Sequence, residues 1–365
     1  MVTHSPSPYQ VELFDAIARQ EQVRLNVIYL YARDQQRLWQ TTPPFHDSVL
    51  LTDASVNTDQ VAADTDDANL LVLNYYKHPF IGRLLRRRKR RGKTMCFWGE
   101  RPLLHFLSPL SRLIRAWRLR AIHRMRAPVW GIGSMAVTAY RNEFGARHEF
   151  ANIPYFSDLE RFGTAPRKPW SKERVILFSG SLCHRKGVDL LAEAFARLAS
   201  DFTFVRLRVV GYGPLEAEMK QHLALLADRV DFTGFCPWDR LHLEYAQSDI
   251  LCVPSRHDGW GLVVPEGLAA GLPIVSTLQT GAAVEFIKPG HNGWLLPPGE
   301  GEGLYRALRQ AATLTEEQWH DMSRIARNSV AQHTLQNGAK RFIAAALSAI
   351  STKSAQPSSR MVGTV

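Results

Sequence analysis

The chain reads as an α/β protein built from two parallel-sheet units, and three observations predict it. In the carboxyl half, apolar runs of four to six residues alternate with segments of helical periodicity, the pattern of repeated strand–helix units. A similar alternation, less sharply punctuated, fills the amino half. Between them stands Ala165-Pro166-Arg167-Lys168-Pro169-Trp170-Ser171, polar and proline-broken as an interdomain linker should be. The expected division is an amino-terminal domain over 1–166, a carboxyl-terminal domain over 167–335, an amphipathic helix over 336–352 and a disordered tail over 353–365. With 365 residues, 45% apolar and 22% charged, the chain suffices for two cores and is globular, not disordered.

Taking the elements in order, residues 1–4 look like the last part of a first strand, and Ser5-Pro6-Ser7-Pro8-Tyr9-Gln10 is the loop after it. Strands are expected at 25–30, 70–73, 93–98 and 129–132, with helical segments between. Glu100 and His105 follow the 93–98 strand, in and just after Phe97-Trp98-Gly99-Glu100-Arg101-Pro102. A capping glutamate and a packed histidine are the ordinary readings of those two. The opening has no basic leader with an apolar core, and no run of about eighteen apolar residues occurs, so neither standard export nor a membrane span is expected. Cys96, Cys183, Cys236 and Cys252 have neither metal-ligand nor disulfide-framework spacing; read as reduced thiols, they favour the cytosol.

The formal net charge of +11 is concentrated locally. From Lys77 to Arg126 there are three lysines and thirteen arginines against Glu100 alone, near +15. One basic segment runs from Arg83 to Arg91. The other begins at Ser108-Pro109, a plausible N-cap and first helical residue, and carries Leu110, Leu113, Ile114, Trp117, Ala121 and Met125 on one face with most arginines elsewhere. A basic amphipathic helix suits an anionic bilayer surface. The alternatives are an apolar face packed on its own sheet with arginines in water, and nucleic-acid binding.

In the carboxyl half, the strand at 175–178 ends in Ser179-Gly180-Ser181, and Arg185-Lys186-Gly187 leads into a helix with Val188, Leu191, Phe195 and Leu198 on one face. The strand at 205–210 ends in Gly211-Tyr212-Gly213-Pro214. Such glycine turns, at the carboxyl ends of parallel strands, are where open α/β sheets bind ligands. After a buried strand at 250–253, Asp258-Gly259-Trp260-Gly261-Leu262-Val263-Val264-Pro265-Glu266 is a loop running into a helix. The first turn of that helix would hold Gly261, Leu262 and Val263, whose unpaired N–H groups suit a diphosphate, and Pro265 is tolerated there. One turn on, Glu266 is an acceptor-only carboxylate fit for a ribose diol, and Asp258 can reach the next hydroxylated group. Taken alone, these two carboxylates are equally well read as a solvated helix residue and a turn former.

These segments in this order resemble the retaining nucleotide-sugar glycosyltransferases of family 4, whose GT-B fold sets two Rossmann-like domains with parallel sheets across a central cleft. The likeness extends through Phe232-Thr233-Gly234-Phe235, Val253-Pro254-Ser255, Gly271-Leu272-Pro273, Thr280-Gly281-Ala282, Glu285 and His291-Asn292-Gly293. It departs where the family carries two glutamates, since Asp258 stands first here, and in the first loop, which lacks paired glycines. The resemblance implies that Arg185, Lys186, Asp258 and Glu266 carry the chemistry: Glu266 on the ribose, Asp258 toward the donor sugar, Arg185 and Lys186 on the diphosphate. Gly180, Gly211, Gly213, Phe235 and the backbone of Gly261, Leu262 and Val263 would complete the donor site, with His4, Glu100 and His105 as candidates on the acceptor side. The implied reaction is hexosyl transfer from a nucleotide-sugar cosubstrate to a glycan, glycolipid or lipid-linked acceptor, in polysaccharide or cell-envelope synthesis. Preorganised cations and N–H groups stabilise the leaving diphosphate, so no metal or other cofactor is expected. The Asp258 and Glu266 pair is read as binding, not as a glycosidase acid and nucleophile. The implied location is cytoplasmic, peripheral on the inner face of the cytoplasmic membrane through residues 83–126, with no nucleic-acid partner. Alternatives are a nucleotide-sugar epimerase of the same plan and, in another class, a basic nucleic-acid-binding protein, which leaves the carboxyl-half motifs unexplained.

Overall fold

The computed structural model describes residues 1–34, 38–39, 43–102 and 109–354. The first domain is a seven-stranded parallel sheet of β1 (Val2–Thr3), β2 (Asn26–Tyr29), β3 (Asp47–Leu50), β4 (Leu70–Leu73), β5 (Thr94–Gly99), β6 (Val129–Gly131) and β7 (Phe150–Asn152), in the order β3-β2-β1-β4-β5-β6-β7. Around it lie α1 (Pro8–Ala18), α2 (Thr58–Asp64), α3 (Pro79–Arg90), α4 (Pro109–Arg118), α5 (Arg120–Met125) and α6 (Ser134–Phe144). After α7 (Glu160–Thr164) the second domain has six parallel strands: β8 (Arg174–Ser179), β9 (Val205–Val210), β10 (Val230–Gly234), β11 (Ile250–Val253), β12 (Ile274–Thr277) and β13 (Gly293–Leu296), ordered β10-β9-β8-β11-β12-β13. Its helices are α8 (Val188–Asp201), α9 (Glu216–His222), α10 (Leu241–Ala246), α11 (Val263–Ala269), α12 (Gly281–Phe286), α13 (Gly301–Ala312) and α14 (Glu316–Val330), and α15 (Leu335–Ser354) closes the fold.

Strand order reverses between β1 and β4 in one sheet and between β8 and β11 in the other. These switch points open crevices at the strands' carboxyl ends. The central strands are buried along their whole length because helices cover both faces: every residue of β8, β11 and β12 is buried. The first strand has only two residues, yet it pairs with Ile28 and Tyr29 on one side and Leu73 on the other. Five strands, β3, β7, β10, β12 and β13, are not among those expected from the sequence, and two show why. Asp47–Leu50 is an edge with exposed Asp47 and Ser48, and Phe150–Asn152 is three residues long.

Near the expected boundary at 166, α7 touches both domains: buried Phe162 packs its ring 5.0 Å from Tyr245 of α10, and Arg161 pairs with Glu12 of α1. Two expectations need correction. The last helix runs to Ser354, two residues into the expected tail, and residues 355–365 lie outside the described residues. It packs on α1, and Phe342 sits 5.5 Å from Trp98 and 5.2 Å from Trp130 of the first sheet. The helix expected from Ser108, itself outside the described residues, is two helices broken at Leu119, and its first half is turned inside out. Arg115 is the buried residue, donating to both carboxylate oxygens of Glu143 at 2.7 and 3.1 Å with its guanidinium 4.8 Å over Tyr76. Leu110, Leu113, Ile114 and Trp117 are exposed, so this face does not pack on its own sheet; Ala121 does. A paired and stacked guanidinium tolerates that interior, and its ion pair dictates which face turns inward.

Candidate active site

The cleft between the two switch points holds a cavity of about 360 Å³ whose second-domain wall includes Gly180, Arg185, Lys186, Asp258, Gly261, Leu262, Val263 and Glu266. Local bonds bring residues distant in sequence to this wall. Arg185 and Lys186 sit on a short 3-10 turn, His184–Lys186, after β8. Arg256 clamps Asp189 of α8 through two bonds of 2.6 Å, drawing the loop after β11 against that turn. The carbonyl of Arg185 then accepts from the N–H of Arg256 at 2.9 Å, and its guanidinium donates to the carbonyl of His257 at 2.9 Å. Beside it Lys186 forms an ion pair with Asp258. Burial works against the charge on Asp258, yet Lys186 and then Arg185 hold its carboxyl below the usual carboxylate range.

Glu266 is 1% exposed, in α11. The Tyr245 hydroxyl donates to its Oε2 at 3.0 Å, while Oε1 has no hydrogen-bond partner among the described residues. Burial pushes this carboxyl up to about 7 against the opposing pull of Tyr245 and Arg161. A buried carboxylate with one vacant acceptor oxygen on a cavity wall is arranged for a ligand's hydroxyl donors. Gly261 precedes the helix with φ +87° and does not belong to its first turn as expected; Leu262 is the N-cap. A Cβ at Gly261 would come 2.7 Å from Thr280 and 3.3 Å from the Asp258 carboxylate, so this position requires glycine.

The other expected donor residues are placed differently. Gly211 and Gly213 do not line the cavity: a Cβ would meet the Gly180 carbonyl oxygen at 1.9 Å and that of Leu182 at 2.4 Å, so they allow backbone segments to close together. Phe235 lies against Tyr212 at 6.1 Å between centroids, and the lining passes instead to Cys236, Trp238 and Leu241. Among the described residues no group of three or more His, Cys, Asp or Glu side chains is placed to hold a metal ion.

From the first domain, Glu100 lines the same cavity, its carboxylate against Gly259. Solvent still reaches this side chain, but crowding by the cleft walls and then the charge of Asp258 raise its carboxyl above the usual value. His4 lies in an adjoining cavity of about 590 Å³ at the β1–β4 switch point, its ring 4.8 Å from Tyr31 and 5.0 Å from Tyr75. Tyr9, Trp39 and Tyr155 line both cavities, which are therefore contiguous. His105 lies outside the described residues.

Residues 164–329 match the family model described as glycosyl transferases group 1. The match to group 1 glycosyl transferases takes in all six strands of the second sheet and the cluster of Arg185, Lys186, Asp258 and Glu266. Curated relatives include the putative colanic acid biosynthesis glycosyltransferase WcaL of Escherichia coli, 26% identical over 53% of this chain and 49% of its own. Another is the 2-deoxystreptamine glucosyltransferase of Streptomyces kanamyceticus, 30% identical over 55% of this chain and 54% of its own. The chain thus spans about half the length of these curated relatives. Among solved structures, Anabaena HepE in complex with UDP and glucose superposes with a TM-score of 0.74 over 95% of this chain and 98% of its own, at 18% identity. WaaG, a glycosyltransferase involved in lipopolysaccharide biosynthesis, gives 0.65 over 93% and 97% at 16% identity. The two facing parallel-sheet domains have the GT-B fold.

Sequence reasoning missed the residues that join the two domains. Arg101 reaches from the first domain to donate to the Gln279 side chain at 2.8 Å, the Gln279 carbonyl at 2.7 Å and Nδ1 of His257 at 3.0 Å. Burial and then Arg101 push His257 down to about 4, so the ring is neutral and accepts there. Glu285, noted only as part of a motif, accepts from the Ser134 N–H and from Asn152 at 3.2 Å across the same cleft. Nothing in the spacing of Arg101, Gln279 or Tyr245 marks them, because their partners lie 178 and 21 residues away.

Proposed function

We propose that this protein is a retaining glycosyltransferase that moves a hexose from a nucleotide-sugar to a glycan, glycolipid or lipid-linked acceptor in cell-envelope or polysaccharide synthesis. The observation that carries the reading is the pairing, on one cavity wall, of the half-satisfied buried Glu266 with the Arg185 and Lys186 cations. That pairing matches a ribose diol joined to a diphosphate. Glu266 Oε1 accepts from the ribose hydroxyls, and Asp258, held ionised by Lys186, accepts from a sugar hydroxyl. As the bond from anomeric carbon to phosphate oxygen breaks, charge grows on the leaving diphosphate and Arg185 and Lys186 stabilise it without a metal. The acceptor oxygen bonds to the same face of the anomeric carbon, and its proton passes to the departing phosphate oxygen. The largely aromatic cavity around His4, Tyr31 and Tyr75 holds the acceptor by stacking and hydrogen bonds. UDP in a structural neighbour supports a nucleotide-sugar donor.

No helix among the described residues is long and apolar enough to cross a membrane. Peripheral attachment to an anionic inner leaflet is supported by the outward Leu110, Leu113, Ile114 and Trp117 beside basic residues of α3 to α5. Thermal-shift screening against UDP-, GDP-, ADP- and dTDP-sugars tests the donor assignment, because a ligand bound only by the native state raises the melting temperature. No shift with any of these donors, or turnover of the donor without an acceptor to a sugar epimer, defeats the reading.

A further inference from the structure

A second basic cavity, of about 630 Å³, lies between α3 and the α4–α5 pair and shares no lining residue with the cleft. Arg86, Lys89 and Arg90 line it from α3, and Arg118, Arg120 and Arg124 from α4 and α5; among the described residues no carboxylate does. The fold has sorted the arginine run to produce this. Buried Arg88 donates to the carbonyls of Thr65 and Ala68 at 2.7 and 2.8 Å and serves as a frame residue. Arg87 and Arg91 pair with Asp66, and Arg83 with Asp59. The cations left to the cavity are those for which no carboxylate stands among the described residues.

With Lys77 of the loop before α3, seven like charges surround one concavity and repel unless an anion of matching geometry enters, and guanidinium forks match phosphate oxygens. The remaining lining says what that phosphate is attached to. Leu85, Ala121 and Trp117 give the cavity an apolar side, and exposed Leu110, Leu113 and Ile114 continue it along α4. Free phosphate or a nucleic-acid backbone has no use for that surface; acyl chains do. Tyr76 of this cavity also lies 6.4 Å from Tyr75 of the acceptor-side cavity, so the two sites share the β4–α3 loop. We propose that this cavity holds the phosphate-bearing head group of an anionic lipid, fixing how the first domain sits on the bilayer. The proposal rests on the membrane-facing part of the function above and gives it a defined site.

Dihexanoyl phosphatidylglycerol below its micellar concentration is the probe, with dihexanoyl phosphatidylcholine, inorganic phosphate and a short oligonucleotide as comparisons in calorimetric titrations. Wild type binds the anionic lipid in preference to all three. Arg118→Ser with Arg124→Ser weakens that binding about tenfold or more. Lys93→Ser with Arg147→Ser, removing equal charge from exposed positions outside the cavity, changes it by less than about twofold. Should the first pair misfold, Arg124→Glu at an exposed position gives the same loss. Equal losses in the two pairs, phosphate binding as tight as lipid, or tighter capture of the oligonucleotide through the same arginines overturns the proposal. Nucleoside diphosphate affinity on the same preparations stays constant across these variants. If wild type fails to bind any nucleoside diphosphate, the glycosyltransferase reading falls while the lipid result stands.

Discussion

The two domains carry the same topological device and equip it oppositely. At the β8–β11 switch point the second domain gathers Arg185, Lys186, Asp258 and Glu266, and both carboxyls and the lysine are largely buried. At the β1–β4 switch point the first domain gathers Thr3, His4, Gln10, Tyr31, Asn74 and Tyr75, mostly hydrogen-bonding and aromatic groups, with one charge of each sign on Arg33 and Asp34, while its surplus charge lies away on α3 to α5. A crevice at strand ends is thus only a place. Charge with one unfilled acceptor suits a diphosphate-linked donor; rings and amides suit an uncharged sugar.

Removing charge from the second crevice should therefore have the largest effect. Lys186→Ala and Arg185→Ala should each lower turnover roughly a hundredfold, the scale for one preorganised charge-stabilising group. Lys186→Ala also strands the Asp258 charge, so its melting temperature should fall. Steady-state transfer assays check this, and activity should persist in EDTA; a loss restored by added metal would refute the metal-free step.

Glu266→Gln should weaken nucleoside diphosphate binding by about tenfold or more, since a bond to a charged acceptor contributes about 1.5–3 kcal/mol. Its pH signature follows from a folded-state value raised to about 7 from 4.5. The folded protein then holds the proton more tightly than the unfolded chain, so this residue's contribution to stability falls as pH rises from about 4.5 through 7. The melting-temperature advantage of Glu266→Gln over wild type without ligand should grow across that window. Donor binding near pH 6.5 should release more protons from wild type than from the variant, measured by calorimetry in buffers of different ionisation enthalpy. Identical proton release removes Glu266 from the ribose site.

Arg101→Ala tests the joint between the regions. It should reduce transfer about tenfold while nucleoside diphosphate affinity changes by less than about threefold, because its three bonds span the cleft to Gln279 and His257 and none goes to Glu266, Arg185 or Lys186. Small-angle scattering should show a wider particle. The smallest effect belongs to the aromatic crevice: His4→Ala should raise the acceptor KM several-fold, the scale of one aromatic contact of about 0.5–1.5 kcal/mol, and leave donor KM unaltered. A change confined to donor KM would reverse the roles given to the two crevices.

Local patterning by itself determined much of this molecule. Strands 70–73 and 250–253 were legible residue for residue because they are continuous apolar runs cut by polar or glycine turns, and 205–210 because buried Val205, Leu207 and Val209 alternate with Arg206 and Arg208 before a glycine turn. The order of glycine turns, Arg185-Lys186 and the spaced carboxylates pointed to the second crevice because these residues lie in the segments that follow β8 and β11, where chain order and spatial order agree. Tertiary structure alone decided what depends on contacts between distant residues. Periodicity identified an apolar stripe on α4, but the Arg115–Glu143 pair turned it outward; composition counted the arginines of α3, but Asp59, Asp66 and the Thr65 carbonyl determined which are structural. Tyr245 reaches Glu266, and Arg101 reaches Gln279, only once the sheets are packed. An ion pair or hydrogen bond depends on distance in space, and sequence periodicity reports only the face of a single element.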